Sequence, residues 1–121
     1  MKANHPGEII HMSYITTNTV KDGKVTILIA VDNYSQYCFG VAVENEMQRD
    51  AVEKHLAAIV KEVHKNHPKI KPLFIMAYGK EWIPAFEQQF KGKATFLFNP
   101  VQADAIAMPA AKLLLQKLLN Q

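Results

Sequence analysis

The sequence has little cysteine and no long apolar run, and each shortage excludes a class of protein. Cys38 is the only cysteine in 121 residues, which excludes an internal disulfide and a thiolate-rich zinc site. No apolar stretch approaches the roughly 20 residues that cross a bilayer, and the amino terminus lacks the apolar core of a signal peptide. We therefore expect a soluble, cytoplasmic protein with no membrane partner, in which Cys38 is a buried thiol.

Arginine is nearly absent as well. Arg49 is the only arginine among 14 lysines and arginines, which exceed 11 acids and give a formal net charge of +3 with neutral histidines. This excess permits contact with nucleic acid without requiring it. Because lysine binds phosphate as a point charge, whereas arginine reads guanine edges through paired hydrogen bonds, we expect any DNA contact to involve backbone phosphates. The densest basic patch, here called the lysine patch, is either such a surface or a solvated helix end, and it contains Lys61, Lys65, Lys69 and Lys71.

Hydrophobic alternation predicts three strands in the first third of the chain. The strands are expected over residues 8–17, 25–31 and 37–43. Asp22 and Gly23 both tolerate positive φ, so the first two strands are predicted to form a tight antiparallel hairpin. The length suits one domain over residues 1–121.

Helices and short strands are predicted to alternate in the rest of the chain. Residues 45–48 resemble a capping box, and an apolar stripe with helical spacing follows it until the helix ends near Pro68. The spacing then predicts a strand over 73–76, a short helix from Trp82, a strand over 94–98 and a helix over 109–119. The stripe consists of Val52, Leu56, Ile59, Val60 and Val63. The order βββαβαβα predicts an α/β protein with a mixed sheet of five strands.

Segment 74–82 resembles the active-site segment of integrase and transposase catalytic cores of the retroviral-integrase type, which have a ribonuclease-H-like fold. In that family an apolar strand ends in Asp, followed by a small or polar residue, Gly, any residue, Glu or Gln, and an aromatic. Ala77 stands in the Asp position here, while Gly79, Glu81 and Trp82 keep their places. The resemblance implies a five-stranded sheet with helices on both faces.

Two further segments carry the same resemblance. Residues 6–15 are similar to the opening strand of the family, with His11 in the position of its Asp. Residues 29–35 are similar to an apolar strand that ends in Asp, two residues and Ser, here Asp32 and Ser35. The three segments occur in the family's order along nearly the whole chain.

The resemblance also implies where a metal site would lie. Family members use three acids to hold two divalent metal ions about 4 Å apart, which activate the attacking oxygen and stabilise the leaving one. The matching positions here are His11, Ala77 and, in the last helix, Met108, and the tail 101–121 has Asp104 but no Glu. We therefore expect no intact catalytic residue and no cofactor. The family implied is related to DNA integration or transposition, and this chain is expected to be a non-catalytic, DNA-associated or assembly module.

Two alternatives stay open. A remodelled site of His11, Asp32 and Glu81 would bind one Mg²⁺ or Mn²⁺ and act as a nuclease or polynucleotidyl transferase, unless Asp32 caps a corner and Glu81 begins a helix. The other alternative is a protein-interaction scaffold without DNA contact.

A homodimer is expected in either case. Cores of this family commonly dimerise, and the last helix carries more leucine than one buried face requires. The leucines are Leu113, Leu114, Leu115, Leu118 and Leu119.

Overall fold

A five-stranded mixed sheet forms the centre of the protein. The computed structural model describes residues 2–19, 23–44 and 48–119. The strands lie side by side in the order β3-β2-β1-β4-β5, with β1 antiparallel to β2, β2 antiparallel to β3, and β4 parallel to both β1 and β5. Their bounds are β1 (Ile9–Thr19), β2 (Gly23–Asp32), β3 (Cys38–Glu44), β4 (Leu73–Met76) and β5 (Thr95–Phe98).

Helices cover both faces of this sheet, as predicted. The helices are α1 (Arg49–Asn66), α2 (Ile83–Gln89), which follows a 3₁₀ turn at Lys80–Trp82, and α3 (Pro100–Leu119). Helices α1 and α2 pack on one face, here called the α1 face, and α3 packs on the other, the α3 face. None of the helices in the described part of the chain is long and apolar enough to cross a membrane.

The predicted apolar stripe of α1 is confirmed. Its five members are all buried, and they pack against alternate residues of the sheet such as Ile10, Leu28 and Phe74. Burying such side chains stabilises the fold by about 1.5–3 kcal/mol each. His55 is also buried on α1, with 8% of its surface exposed.

Two predicted turn signals fall on residues that the structure does not describe. Asp22 lies outside the described residues, but the pairing of Thr19 with Gly23 confirms the antiparallel hairpin. Three residues of the predicted capping box, 45–47, lie outside them as well. The fourth, Gln48, precedes α1 in an extended conformation and makes no side-chain capping bond.

The prediction that the last helix begins at residue 109 is wrong. Helix α3 begins nine residues earlier, because Asn99 caps it: its side-chain oxygen accepts the Gln102 N–H at 3.1 Å, and its carbonyl accepts the Ala103 N–H at 2.9 Å. Pro100 suits the first helical position, where no N–H is needed. Pro109 lies inside the helix, where its missing N–H removes one backbone hydrogen bond.

Candidate functional site

Two of the three positions matched to the family's acids lie on the α3 face of β1. Side chains alternate across a strand, so His11 and Ser13 of β1 lie on the face opposite Met12. Met12 pairs with Met76 of β4, and the Ala77 N–H donates to the Met12 carbonyl at 3.0 Å, which places Ala77 beside Ser13. His11 and Ala77, two positions predicted from the resemblance, are therefore close neighbours on this face.

A chain of hydrogen bonds fixes the His11 ring. The Ala3 N–H donates to Asn33 Oδ1 at 3.0 Å, which turns the Asn33 amide nitrogen toward His11 Nε2, also at 3.0 Å. Because an amide nitrogen only donates, Nε2 accepts and the ring proton is on Nδ1. Nδ1–H then donates to the Gln102 carbonyl of α3 at 2.7 Å. We call this arrangement the His11 hydrogen-bond chain.

Burial favours the neutral form of His11. The ring is 4% exposed, and loss of solvation lowers its pKa, an effect that hydrogen bonds to the backbone of Gln102 and Ala103 only partly oppose. With both nitrogens engaged, the imidazole has no lone pair free for a metal ion and no partner for proton transfer. His11 is thus a structural histidine that joins β1 to the first turn of α3.

The acid that α3 brings to β1 is Asp104. Its Oδ1 accepts the Ser13 hydroxyl at 2.8 Å. Met108, the predicted third position, lies four residues and thus about 6 Å farther along the helix, and it is half-buried. Small side chains let α3 approach the sheet here, since Ala103 and Ala107 are fully buried.

The three candidates for a remodelled metal site are not brought together. Asp32 pairs with Ile10 rather than with His11, so its side chain lies on the α1 face, whereas the His11 ring lies on the α3 face. The Asp32 carboxylate accepts the Gly7 N–H at 3.1 Å and the Ser35 hydroxyl at 2.6 Å, which makes it the cap of a corner. Glu81 is exposed in the 3₁₀ turn. Among the residues that the structure describes, no three His, Cys, Asp or Glu side chains form a group that could hold a metal ion.

The end of segment 74–82 forms a tight turn. Gly79 has a left-handed backbone with φ of 71°, and a Cβ there would lie 2.5 Å from Cε3 of Trp82. The Trp82 N–H donates to the Gly79 carbonyl at 2.9 Å and starts the 3₁₀ turn. Tyr78 is buried beside them with a hydroxyl that has no hydrogen-bond partner in the described structure, and burial raises its pKa.

The four residues of the lysine patch are all exposed. Lys61 and Lys65 are one turn apart on α1, and Lys69 and Lys71 follow in the connection to β4. None of the four forms an ion pair with a described residue, whereas Arg49 pairs with Glu53 at 2.9 Å. Their charges are therefore available to an anionic partner.

Cys38 and the last helix carry two further sequence predictions. The Cys38 thiol is partly buried, and burial raises its pKa, so little reactive thiolate forms at neutral pH. Leu113 of α3 is 62% exposed, and Leu114 packs against the α3 face of the sheet. The side chains of Leu118 and Leu119 lie outside the described residues.

Sequence analysis gave no role to four residues of functional interest: Asn33, Ser13 and His55, and Asp104, which it named only as the acid of the tail. Signals existed for two of them. Asp104 belongs to helix α3, whose start is marked in the sequence by Asn99 and Pro100. His55 follows Val52 by three residues, which is the spacing of one helix face. The hydrogen bonds of Asn33 and Ser13 join residues far apart in the chain, and no local pattern marks them.

Comparison with known proteins relates the chain to retroviral structures. No protein-family model matches the sequence, and no curated protein does either. A chain of the simian T-cell lymphotropic virus intasome, solved with the PP2A regulatory subunit B56 gamma, superimposes with a TM-score of 0.68 at 15% identity over 99% of this chain. Prototype foamy virus protease-reverse transcriptase gives a TM-score of 0.48 at 12% identity over 88% of this chain.

The similarity to the intasome chain establishes the fold. The alignments cover 44% of the intasome chain and 21% of the foamy virus chain, so this chain spans less than half the length of either. At such low identity the intasome match shows a shared architecture and not a shared activity. The predicted ribonuclease-H-like α/β fold with a mixed five-stranded sheet is confirmed.

Proposed function

We propose that this chain is an integrase-like core domain without metal-dependent catalysis, which serves as a DNA-associated or assembly module. The observation that supports this most directly is the α3 face of β1. There His11 has both ring nitrogens hydrogen-bonded to the protein, Ala77 presents a methyl group, and Asp104 is bonded to Ser13. Of these three side chains, which lie where metal ions would have to bind, only Asp104 is a carboxylate.

The chemistry of strand transfer explains why this arrangement is unsuitable. Two Mg²⁺ or Mn²⁺ ions need several hard oxygen ligands, and carboxylates from different elements normally supply them. Asp104 alone would leave each ion held mostly by water. His11 could ligate a metal only by giving up a hydrogen bond to Asn33 or Gln102. The residues present therefore do not fit a two-metal site.

Catalysis can be tested with an acidic control. The purified chain is incubated with labelled duplex DNA and Mg²⁺ or Mn²⁺, beside Asp104→Asn and Asp50→Asn, the latter at an exposed position of α1. We expect no cleavage or joining above background in any sample. Activity of the unaltered chain that persists in Asp50→Asn and disappears in Asp104→Asn would refute the non-catalytic proposal.

The lysine patch supports the DNA-associated part of the proposal. Each phosphate contact releases counterions, so four contacts would give a slope of log K against log salt of about −3.6. Affinity for duplex DNA should then fall on the order of 100-fold between 50 and 200 mM salt. The affinity should depend little on base sequence, since lysines contact phosphates.

A charge-matched variant separates this patch from general basicity. One protein carries alanine at the four patch lysines, and the control carries alanine at four exposed lysines elsewhere, Lys91, Lys93, Lys112 and Lys117. Both lose four positive charges. Fluorescence anisotropy should show lost binding for the first variant only. Equal loss in both would indicate diffuse charge attraction, and no salt-sensitive binding at all would favour a pure protein-interaction scaffold.

A further inference from the structure

Strand β3 is an open edge of the sheet, and a cleft runs between it and α1. No described strand pairs with the outer side of β3. The cleft has a volume of about 680 Å³, within the range of ligand-binding sites in proteins. An edge strand beside a helix offers backbone hydrogen-bonding groups along one wall and side chains along the other.

The cleft has an apolar floor and an aromatic rim. Phe39 and Val41 pair with Ala30 and Leu28 of β2, so all four side chains lie on the α1 face. Val41 is nevertheless 39% exposed, which is unusual for an aliphatic residue on a covered face. Ile59 and Val63 of α1 line the opposite wall, and Tyr37 stands at the rim with its ring edge-on to Phe39.

His55 provides an unsatisfied polar group in this wall. His55 is one of the residues that line the cleft, and its Nε2 is buried without a hydrogen-bond partner among the described residues. This differs from His11, where both nitrogens are engaged. A buried polar atom without a partner costs about 1–3 kcal/mol, which a bound hydroxyl would recover because it can donate or accept.

The cleft is also lined by Asp32, Glu62, Asn66 and His67, and the Asn66 amide donates to the Glu62 carboxylate at 3.3 Å. The buried Asp32 carboxylate already accepts hydrogen bonds from Gly7 and Ser35. Both carboxylates therefore accept hydrogen bonds within the protein. In the described part of the chain, the groups of the cleft that still lack contacts are its apolar surface, His55 Nε2 and the outer backbone groups of β3. An extended peptide can supply all three contacts. Its backbone pairs with an edge strand, and its alternate side chains lie on one face.

We propose that this cleft binds an extended peptide that pairs with β3 as a sixth strand. One serine or threonine hydroxyl of the peptide hydrogen-bonds to His55, and an apolar side chain two residues away packs between Phe39 and Ile59. Residues two apart in a strand lie on the same face about 7 Å from each other, which suits one polar and one apolar subsite. The site is separate from the lysine patch and from the α3 face of β1.

The test uses a capped peptide in which every second residue is alternately threonine and valine, with glutamine between them and lysine at both ends. It is titrated into the ¹⁵N-labelled full chain and followed by NMR. We expect the largest shifts at the amides of Phe39 to Val41 and at the His55 ring. Absence of shifts at millimolar peptide, or shifts confined to other surfaces, would overturn the proposal.

Two exposed alanines of α1 give a matched control for the cleft. Ala58 lines it and Ala57 does not. Ala58→Trp should weaken binding at least tenfold because the indole fills the cleft, whereas Ala57→Trp should stay within twofold. Equal effects of the two would place the peptide elsewhere.

A second peptide tests the hydrogen bond to His55. Replacing its threonines by valine keeps the shape and removes the hydroxyl. The valine peptide should bind the unaltered chain at least fivefold more weakly than the threonine peptide, and His55→Phe should bind both equally. A preference for threonine that survives in His55→Phe would refute the assigned role of His55.

Discussion

Replacing His11 by phenylalanine tests the hydrogen-bond chain that fixes the α3 face of β1. The substitution leaves the Asn33 amide nitrogen without its acceptor and the Gln102 carbonyl without its donor. Each unpaired group costs about 1–3 kcal/mol, and because both residues are only half-buried the lower end applies. We expect the free energy of unfolding to fall by about 2 kcal/mol at pH 8.

The pH dependence of stability gives a second, independent readout of the same substitution. Burial lowers the pKa of both His11 and His55 below the ordinary 6.5. The stability that comes from holding these rings neutral is fully present above pH 6.5, and it is lost as the pH falls, because the unfolded chain binds protons first. Each ring contributes a slope of up to about 1.4 kcal/mol per pH unit. His11→Phe should therefore make the slope shallower by the contribution of His11, which is at most about 1.4 kcal/mol per pH unit.

Urea unfolding between pH 8 and pH 5.5 measures both quantities. Trp82 is the only tryptophan and is half-buried among aromatic rings, so its fluorescence reports unfolding. His5→Phe is the control, because His5 is exposed and its side chain makes no hydrogen bond with a described residue. A variant His11→Phe that keeps the pH slope of the unaltered chain would refute the neutral, doubly bonded state of His11.

Three further substitutions test the turn, the helix start and the exposed leucine. Gly79→Ala should lower the free energy of unfolding by about 1–3 kcal/mol, because it forces a side chain into a left-handed conformation against Trp82; a neutral result in urea unfolding would exclude this turn. Asn99→Ala should cost about 1 kcal/mol through loss of the bond to Gln102, whereas Asn99→Asp should retain most of it. Light scattering at high micromolar concentration should show a homodimer that Leu113→Glu converts to a monomer with unchanged melting temperature; a monomeric unaltered chain would make the dimer prediction wrong.

The elements with strong periodicity could be predicted from the sequence. The stripe from Val52 to Val63 has one helical reading, and its burial follows from it. The hairpin was predictable because Gly23 tolerates the backbone of a tight turn, with φ of 70° in the structure. These features depend on neighbours in the chain, which the sequence displays directly.

The start of α3 was predicted wrongly because proline can either begin a helix or end a strand. Pro109 suggested a first helical residue, whereas Pro100, which has that role, seemed to mark only the end of a strand. The spacing of Ala103, Ala107 and Ala111 distinguishes the two readings, since all three face the sheet. Alanine contributes little to a hydrophobic pattern, so these three residues do not mark a buried helix face in the sequence.

The candidate site depended on tertiary contacts that local patterns do not encode. Asp32 and His11 lie close in the hairpin, but a shift of one residue in pairing reverses the face on which a side chain lies. Asp104 reaches Ser13 across 91 positions of the chain. The resemblance could name the positions that match the family's acids, and it could not show which polar groups contact each other on this face.

The His11 hydrogen-bond chain constrains how this domain can evolve. An aspartate at position 11 would direct a carboxylate at the Gln102 carbonyl, so two acceptors would oppose each other where a donor now lies. An aspartate at position 77 would place a second negative charge beside Ser13, which already holds Asp104. Each single step toward an acidic site lowers stability before any metal can bind. An acidic metal site on this face would therefore need several simultaneous substitutions.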